Sequence, residues 1–354
     1  MHGNATCTRF KAEKRTPAEE DIARLADNDF DRTQVATADG VTTGWCGGDH
    51  ELDSAFAYEK NVRANYLHFA FRVSQDKLPA ARLKALYHVH LKALCEQNPS
   101  GQPTARQKKE AKELAREEVE NEAKDGRYRK HTVIPVVWAG DTGEVWYGAS
   151  AATHTGRFQE LFKETFGVEL TPLTAGALFG EEVEPMTEDA PAWCPEGTDW
   201  VGNEFGLWLL WRTANSDAEI GGVTAMNGRT LCLACPNAQT GHEVFTHEKP
   251  VSLPEVVRAL QAGKLPRKMG LEVACGGDIF SLVLQLESWT VTGGKLVNHE
   301  DDAKDVIQRE LNRLEAVTRL LTVSDVLMGE FKTERVGDGW NKVWGDIKHW
   351  LGVV

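Results

Sequence analysis

Two cysteines three positions apart are the first side chains in this sequence whose spacing suggests chemistry, because a CxxC pair can ligate zinc. Cys232 and Cys235 form this pair, and His242 and His247 follow them. The gap from the cysteines to the histidines is much shorter than in zinc fingers, and the chain has no second CxxC pair. Cysteines in an apolar strand are commonly small buried residues. We therefore predict a structural role for both cysteines and no metal site.

Acidic clusters, which hold divalent metal ions in nucleases, are the second candidate. Glu181-Glu182 and Glu300-Asp301-Asp302 lie in linker-like sequence. They lack the spaced Asp/Glu and Lys pattern of a two-metal site. The chain also contains no P-loop, GxSxG, HExxH or GxGxxG motif. We therefore expect a protein that is not an enzyme, with no catalytic residues and no cofactor.

Clusters of basic residues are the third candidate, and they suit an anionic partner. Clustering like charges costs free energy, which binding to a polyanion would offset. The clusters are Lys108, Lys109 and Lys112 on a predicted helix, Arg127, Arg129 and Lys130 around Tyr128, and Lys264, Arg267 and Lys268 where a helix meets a strand. For the first of them, a solvated helix face is an equally good interpretation.

Composition limits how such a partner could be bound. The chain has 354 residues, with 40 Lys and Arg against 53 Asp and Glu, a net charge of −13. A uniformly basic exterior is therefore excluded, whereas a local basic surface is compatible with this composition. The seven cysteines are scattered and odd in number, which is unlike a disulfide framework. Without a membrane-length apolar run or a signal-peptide pattern, we expect a cytosolic protein.

Periodicity places the basic clusters on particular elements. Residues 67–73 alternate between apolar and polar, which predicts a half-buried strand, and Pro79 opens an amphipathic helix. Residues 104–125 are polar nearly all round at helical spacing, which is typical of a helix surrounded by solvent. Together the two helices predict a protruding helical finger over about 79–130, with Tyr128 and its basic neighbours at the tip. Residues 205–212 are strongly apolar and fit either a helix or a strand.

The whole pattern predicts an α+β fold with mixed or antiparallel sheets. An acidic, proline-containing segment at 181–192 is the best candidate linker. It separates an N-terminal α+β region, 1–180, from a second α+β region at 193–300. Amphipathic helices are expected over 301–354.

Several short sequence blocks follow one another in the same order as in one protein family. They are Arg9-Phe10, Gly44-Trp45, Leu67 to Val73 followed by Lys77-Leu78-Pro79, the charged helix of Arg106 to Ala123 followed by Arg127-Tyr128-Arg129, Phe205 to Trp211, Ala259 to Lys264, and a final helical region with Phe331, Arg335, Trp340 and Trp350. In this order the chain resembles the recombination-associated protein RdgC family over nearly its whole length. The blocks contain no active-site signature.

The resemblance implies an elongated, curved fold and a homodimer that closes into a ring around double-stranded DNA. Such a ring binds without sequence preference, competes with RecA and restrains or modulates recombination, which implies a nucleoid-associated cytoplasmic protein. On the family pattern Lys264 is a channel lysine, with Arg267 and Lys268 beside it, and Tyr128 is a tip contact that closes the ring. The family more often has Phe at the position of Tyr128, and the C-terminal region is longer here than in its shorter members.

Two other functions fit the same sequence. A protein-interaction module of a mobile element or phage would use the charge-balanced finger to hold another protein. A metal-dependent nuclease would require a metal site that the spacing does not reveal.

Overall fold

The computed structural model describes residues 4–32, 40–96, 98, 101–181, 183, 199–214, 217–235, 242–248, 250–297 and 305–352. Most of the predicted linker 181–192 and the acidic cluster Glu300-Asp301-Asp302 lie outside the described residues. None of the described helices has both the length and the apolar character needed to cross a bilayer.

The chain folds into two compact units that interleave along the sequence. The first unit comprises Met1–Asp21, Ala57–His68 and Pro135–Val354, and the second comprises Ile22–Phe56 and Phe69–Ile134. The predicted linker lies inside the last segment of the first unit. The boundaries between the two units along the chain therefore lie before residue 136 and not at the predicted linker.

The fold is α+β, as predicted, and the paired strands are antiparallel. Thirteen strands lie within the described residues: β1 (Ala5–Lys11), β2 (Val41–Cys46), β3 (Val62–Arg63), β4 (Tyr66–Asp76), β5 (Arg129–Ala139), β6 (Glu144–Tyr147), β7 (Thr171–Pro172), β8 (Ala218–Ile220), β9 (Val223–Ala234), β10 (His242–Thr246), β11 (Leu265–Cys275), β12 (Asp278–Gln285) and β13 (Thr290–Lys295). The same part of the chain forms ten α-helices: α1 (Glu19–Asp27), α2 (Tyr58–Asn61), α3 (Ala80–Cys95), α4 (Ala105–Ala123), α5 (Thr155–Phe166), α6 (Ala175–Phe179), α7 (Val201–Arg212), α8 (Pro254–Gln261), α9 (Val306–Val336) and α10 (Trp340–Leu351).

The first unit is organised around strands in the order β10-β9-β11-β12-β13-β1-β6. Alternation along β12 defines its two faces, because Phe280, Leu282 and Leu284 are buried while Ser281 and Val283 are only half-buried. The buried side chains share one hydrophobic core with residues of α7, α8, α9 and α10. We call the other face of β9, β11, β12 and β13, which carries Ser281 and Val283, the open face.

Helix α7 resolves the ambiguity at 205–212. All ten residues from Val201 to Leu210 are buried, so the helix has no polar stripe to reveal its period. Polar side chains of the helix form hydrogen bonds within the core. Glu204, for example, accepts a hydrogen bond from Nε of Arg335 at 3.0 Å.

A buried arginine connects three elements of the first unit. Arg9 of β1 is only 2% exposed and donates two hydrogen bonds to Glu144 of β6, at 2.9 and 3.0 Å. It donates two more to Asp325 of α9, at 2.6 and 2.7 Å. The indole N–H groups of Trp146 and Trp289 donate to Glu144 and Asp325 in turn. This satisfied network joins the strands to the longest helix.

The second unit contains β2 paired with β4, and the aromatic side chains between its elements are fully buried. Trp45 of β2 packs edge-on against Phe69 of β4, with ring centroids 5.0 Å apart. Gly44 is required because the loop after α1 crosses β2 there. A Cβ at this position would lie 2.4 Å from the Cα of Phe30.

Candidate functional site

The α3–α4 hairpin of the second unit carries most of the predicted basic residues. The predicted polar helix is present as α4, and a capping box begins it. Thr104 Oγ1 accepts from the N–H of Gln107 at 3.2 Å, and Gln107 Oε1 accepts from the N–H of Thr104 at 3.0 Å. Such reciprocal capping lets a nearly all-polar segment begin a helix at a definite residue.

A thin apolar seam holds the two helices antiparallel. Leu86 of α3 packs against Ala115 and Val119 of α4. We call the end where the chain passes from α3 to α4 the turn end, and there Gln107 Nε2 donates to the carbonyl of Leu94 at 3.0 Å. At the opposite end, the base end, Arg82 pairs with Glu122 at 2.5 Å.

Charge is segregated along this hairpin. Helix α3 contains Arg82, Lys84 and Lys92 and no acidic residue. The first half of α4, 105–112, has four basic residues and one acidic residue, whereas its second half, 113–123, has one basic and five acidic residues. The cations of α4 are therefore concentrated at the turn end and its carboxylates at the base end.

Lys108 and Lys112 are the cations of this cluster best placed to meet an anion. Both are exposed, one helical turn apart, and neither has a carboxylate within ion-pair distance among the described residues. Lys109 lies 3.8 Å from Glu113, but both side chains are more than two-thirds exposed, so this pair contributes little. Because no strong ion pair has to be broken, all three lysines are available to bind a phosphate.

The prediction that Tyr128 and its basic neighbours lie at the finger tip is wrong. The N–H of Lys77, just before α3, donates to the carbonyl of Tyr128 at 3.0 Å, which places this segment at the base end. The Tyr128 ring packs against the hairpin seam, and its hydroxyl donates to Glu122 at 2.6 Å. The basic tract follows α4 and leads directly into β5, so it lies where the chain returns to the sheet and not at the far end of the finger.

The basic neighbours of Tyr128 differ in how far they are neutralised. Arg127 binds both carboxylate oxygens of Asp125. Arg129 lies 3.5 Å from Asp76. Lys130 is exposed, and no carboxylate of the described residues pairs with it. Whether Tyr128 contacts a second copy stays a prediction.

Replacing Tyr128 by Phe tests this local role. Hydrogen bonds from Arg82 and Tyr128 lower the pKa of Glu122 to about 2. Because the variant removes one donor, we expect the pKa of Glu122 to rise, with duplex affinity unchanged. A carboxyl titration by NMR measures this shift, and Tyr87→Phe, which alters another ring on the same seam, is the control. If Tyr128 is instead a contact between two copies, Tyr128→Phe should change self-association and leave the pKa of Glu122 unchanged.

The predicted channel cluster lies at the start of β11 in the first unit, and its three members have different surroundings. Lys264 pairs with Glu243 and is 24% exposed. Arg267 donates from Nε to Glu287 at 2.9 Å, and that carboxylate is 8% exposed. Lys268 is half-buried on the open face without a carboxylate partner among the described residues. Arg267 therefore neutralises a buried carboxylate, and its contact with DNA stays a prediction.

Substitution to glutamine separates these roles. Arg267→Gln removes a charged donor from the buried Glu287, so we expect the free energy of unfolding to fall by about 2 kcal/mol. Lys268→Gln removes no such donor, and its effect is expected to stay within about 0.5 kcal/mol. Urea unfolding of both variants measures the difference. Equal stabilities would contradict the structural role of Arg267.

No family model matches this chain, and no curated protein matches it. The functional assignment of the site therefore depends on the geometry of the chain itself.

The CxxC pair shows no sign of a metal centre within the described residues. Cys232 is buried in β9 opposite Lys268, and burial raises the pKa of its thiol. In that part of the chain, no three His, Cys, Asp or Glu side chains lie together as metal ligands. His242 is exposed on β10, opposite Ala234.

Sequence reasoning missed the contribution of α3. Lys84 and Lys92 are exposed, and Arg106 is exposed on the first turn of α4. The signal was available, because sixteen consecutive helical residues without an acidic side chain stand out in a chain of net charge −13. What the sequence alone did not reveal is that the end of α3 with Lys92 lies beside the basic half of α4, whereas Lys84 lies toward the base end.

Proposed function

We propose that this protein binds double-stranded DNA without sequence preference, through the turn end of the α3–α4 hairpin, and that it is not an enzyme. The observation that carries the proposal is the exposed group of cations there. Its members are Lys92, Arg106, Lys108, Lys109 and Lys112. In an acidic protein, such a local cluster attracts a polyanion while the rest of the surface repels it.

The chemistry of the cluster supports contact with phosphates rather than with base edges. Four of its five members are lysines, which act as compact point charges on flexible stems. Contacts from such groups to phosphate oxygens position a protein on DNA but carry no sequence information. Lys268 and Lys130 are further unpaired cations among the described residues, and the proposal includes both as secondary phosphate contacts.

The biological role that we propose rests on the resemblance to the RdgC family. In this proposal the chain is a divergent member with an RdgC-like fold, and two copies close into a ring around the duplex. The ring competes with RecA for DNA, restrains or modulates recombination and associates with the nucleoid. Lys264 and Arg267 belong to the channel in this proposal, and Arg267 also holds Glu287.

Light scattering after size separation, with and without duplex over a salt series, tests the proposal. We expect a dimer that binds unrelated duplexes equally well. The logarithm of the affinity should fall linearly with the logarithm of the salt concentration, by about 0.9 for each phosphate contacted. A monomer that leaves duplex unbound at low salt would refute the proposal.

A second candidate, contact with another protein, is favoured by the outer side of α3. Ala81, Ala85, Val89 and Ala93 are all exposed at four-residue spacing, and Val89 is 62% exposed. Residues at this spacing form one stripe along a helix. Partners that are retained equally after nuclease treatment, without any shift of bare duplex, would favour this function.

A metal-dependent nuclease is the third alternative that the sequence left open. Incubation of supercoiled and linear duplex with magnesium or manganese tests it directly. Cleavage that depends on the metal and persists through purification would replace the binding proposal.

A further inference from the structure

A cleft on the open face of the first unit is separate from the hairpin. It has a volume of about 360 Å³ and lies open to solvent over β9, β11, β12 and β13. This volume lies within the range of about 300–1,000 Å³ that is usual for small-ligand sites. Its floor is a sheet whose other face is buried in the hydrophobic core.

Two irregularities in the sheet form the cleft. Met269 and Leu271 of β11 pair with Leu231 and Asn227 of β9. Between these two pairs β11 has one residue, Gly270, whereas β9 has three, Gly228 to Thr230. On the other side, β13 inserts Gly293 and Gly294 where β12 has one residue. Bulges of this kind redirect side chains and occur beside functional sites.

Glycines at the bottom of the cleft leave it free of side chains. A Cβ on Gly270 would lie 3.0 Å from the backbone N of Thr230, and one on Gly228 would lie 2.7 Å from the carbonyl C of Gly270. Gly293 adds no side chain on the far side and has a positive φ of 60°. A strand glycine commonly marks such a close approach of backbone or ligand.

Long polar side chains stand around this floor. Paired residues of an antiparallel sheet point to the same face, and Ser281 is paired both with Glu272 of β11 and with Lys295 of β13. Arg229 lines the opposite side from the β9 bulge. It lies 3.6 Å from Glu248, but both side chains are over 70% exposed, so the pair is weak.

We propose that this cleft binds a phosphate group between Arg229 and Lys295. Strands β9 and β13 are three strand spacings apart, about 14 Å, so the two cationic side chains can converge on an anion above Gly270. The Ser281 hydroxyl, which makes no hydrogen bond within the described residues, is a donor on the same row. Glu272 opposes the anion and limits its affinity.

The inference goes beyond the proposed duplex binding, because it concerns a cleft whose lining residues take no part in that proposal and a single phosphate. The phosphate belongs either to a free anion or to a nucleic-acid backbone, and both sources share the same contacts. Calorimetric titration of the full chain with inorganic pyrophosphate tests the site, and duplex added as competitor distinguishes the sources. A dissociation constant of about 1 mM at low salt is the expected result.

Three variants define the site. Lys295→Gln should weaken pyrophosphate binding about tenfold, and Glu272→Gln should strengthen it severalfold, since one removes a cation and the other an opposing anion. Ser281→Leu fills the cleft without changing charge and should abolish binding. Lys163→Gln, an exposed lysine of α5 in the same unit, is the matched control for charge.

Particular results would overturn the inference. They are no binding of pyrophosphate to the wild type, equal weakening in Lys295→Gln and Lys163→Gln, or unchanged binding by Ser281→Leu. Substitution of Lys108 and Lys112 in the hairpin should leave pyrophosphate binding intact. Failure of the cleft site and failure of duplex binding are therefore separate outcomes.

Discussion

Replacing both Lys108 and Lys112 by glutamate is expected to weaken duplex binding about ten- to a hundredfold at about 0.1 M salt. The two lysines are exposed one turn apart in α4 and have no carboxylate partner among the described residues. Each reversal removes a cation that would neutralise a phosphate and adds a repelling charge. The slope of log affinity against log salt should flatten by about 0.9 for each phosphate that the variant no longer neutralises.

A matched pair of substitutions distinguishes local contact from overall charge. Lys163→Glu with Lys342→Glu produces the same change in net charge on exposed lysines of the first unit. Fluorescence anisotropy of both double variants over a salt series is the measurement. Both side chains are exposed on α4, and residue 108 lies near the positive end of the helix dipole, which favours glutamate, so the hairpin should stay folded. Equal weakening in the two double variants would remove the hairpin from the interface.

Replacing Arg9 by methionine is expected to lower the free energy of unfolding by about 3–5 kcal/mol. The substitution leaves Glu144 and Asp325 without the guanidinium that accounts for four hydrogen bonds. Methionine fills a similar space but donates to neither carboxylate. Urea unfolding near pH 7 measures the decrease in stability, and duplex affinity of the folded variant should be unchanged.

The effect of Arg9→Met should depend on pH in one direction. Burial raises the pKa of Glu144, but attraction and hydrogen bonds from Arg9 outweigh it, so the pKa lies below the ordinary value of 4.5. A lowered pKa contributes stability above the unfolded value, and this contribution is lost as pH falls through the folded pKa. The difference in the free energy of unfolding between wild type and variant should therefore be largest near neutral pH and should decrease below about pH 4.5. A difference that widens in acid would contradict the network.

Local periodicity predicted many of the individual elements. The alternation at 67–73 became β4, and the helical pattern after Pro79 became α3. The polar segment at 104–125 became α4, with the capping box at Thr104 defining its start. These succeed because side-chain spacing and capping act between residues a few positions apart, whatever the rest of the chain does.

Prediction failed where the answer depends on distant residues. Helix α7 is buried on all sides by other elements, so its own residues carry no periodic signal. Tyr128 was placed at a tip because the sequence does not show that Lys77 lies beside it. Arg267 was grouped with its basic neighbours because the sequence does not show that it donates to Glu287, twenty positions away.

The sequence by itself determined the α+β character, the paired helices of the hairpin and the presence of basic clusters in an acidic chain. Only the tertiary structure decided which of those cations have carboxylate partners, which end of the hairpin is basic and where bulges open the sheet. The physical reason is range. Helical and strand periods are set by neighbours along the chain, whereas ion pairing and the depth of a cleft are set by side chains that folding brings together from remote positions.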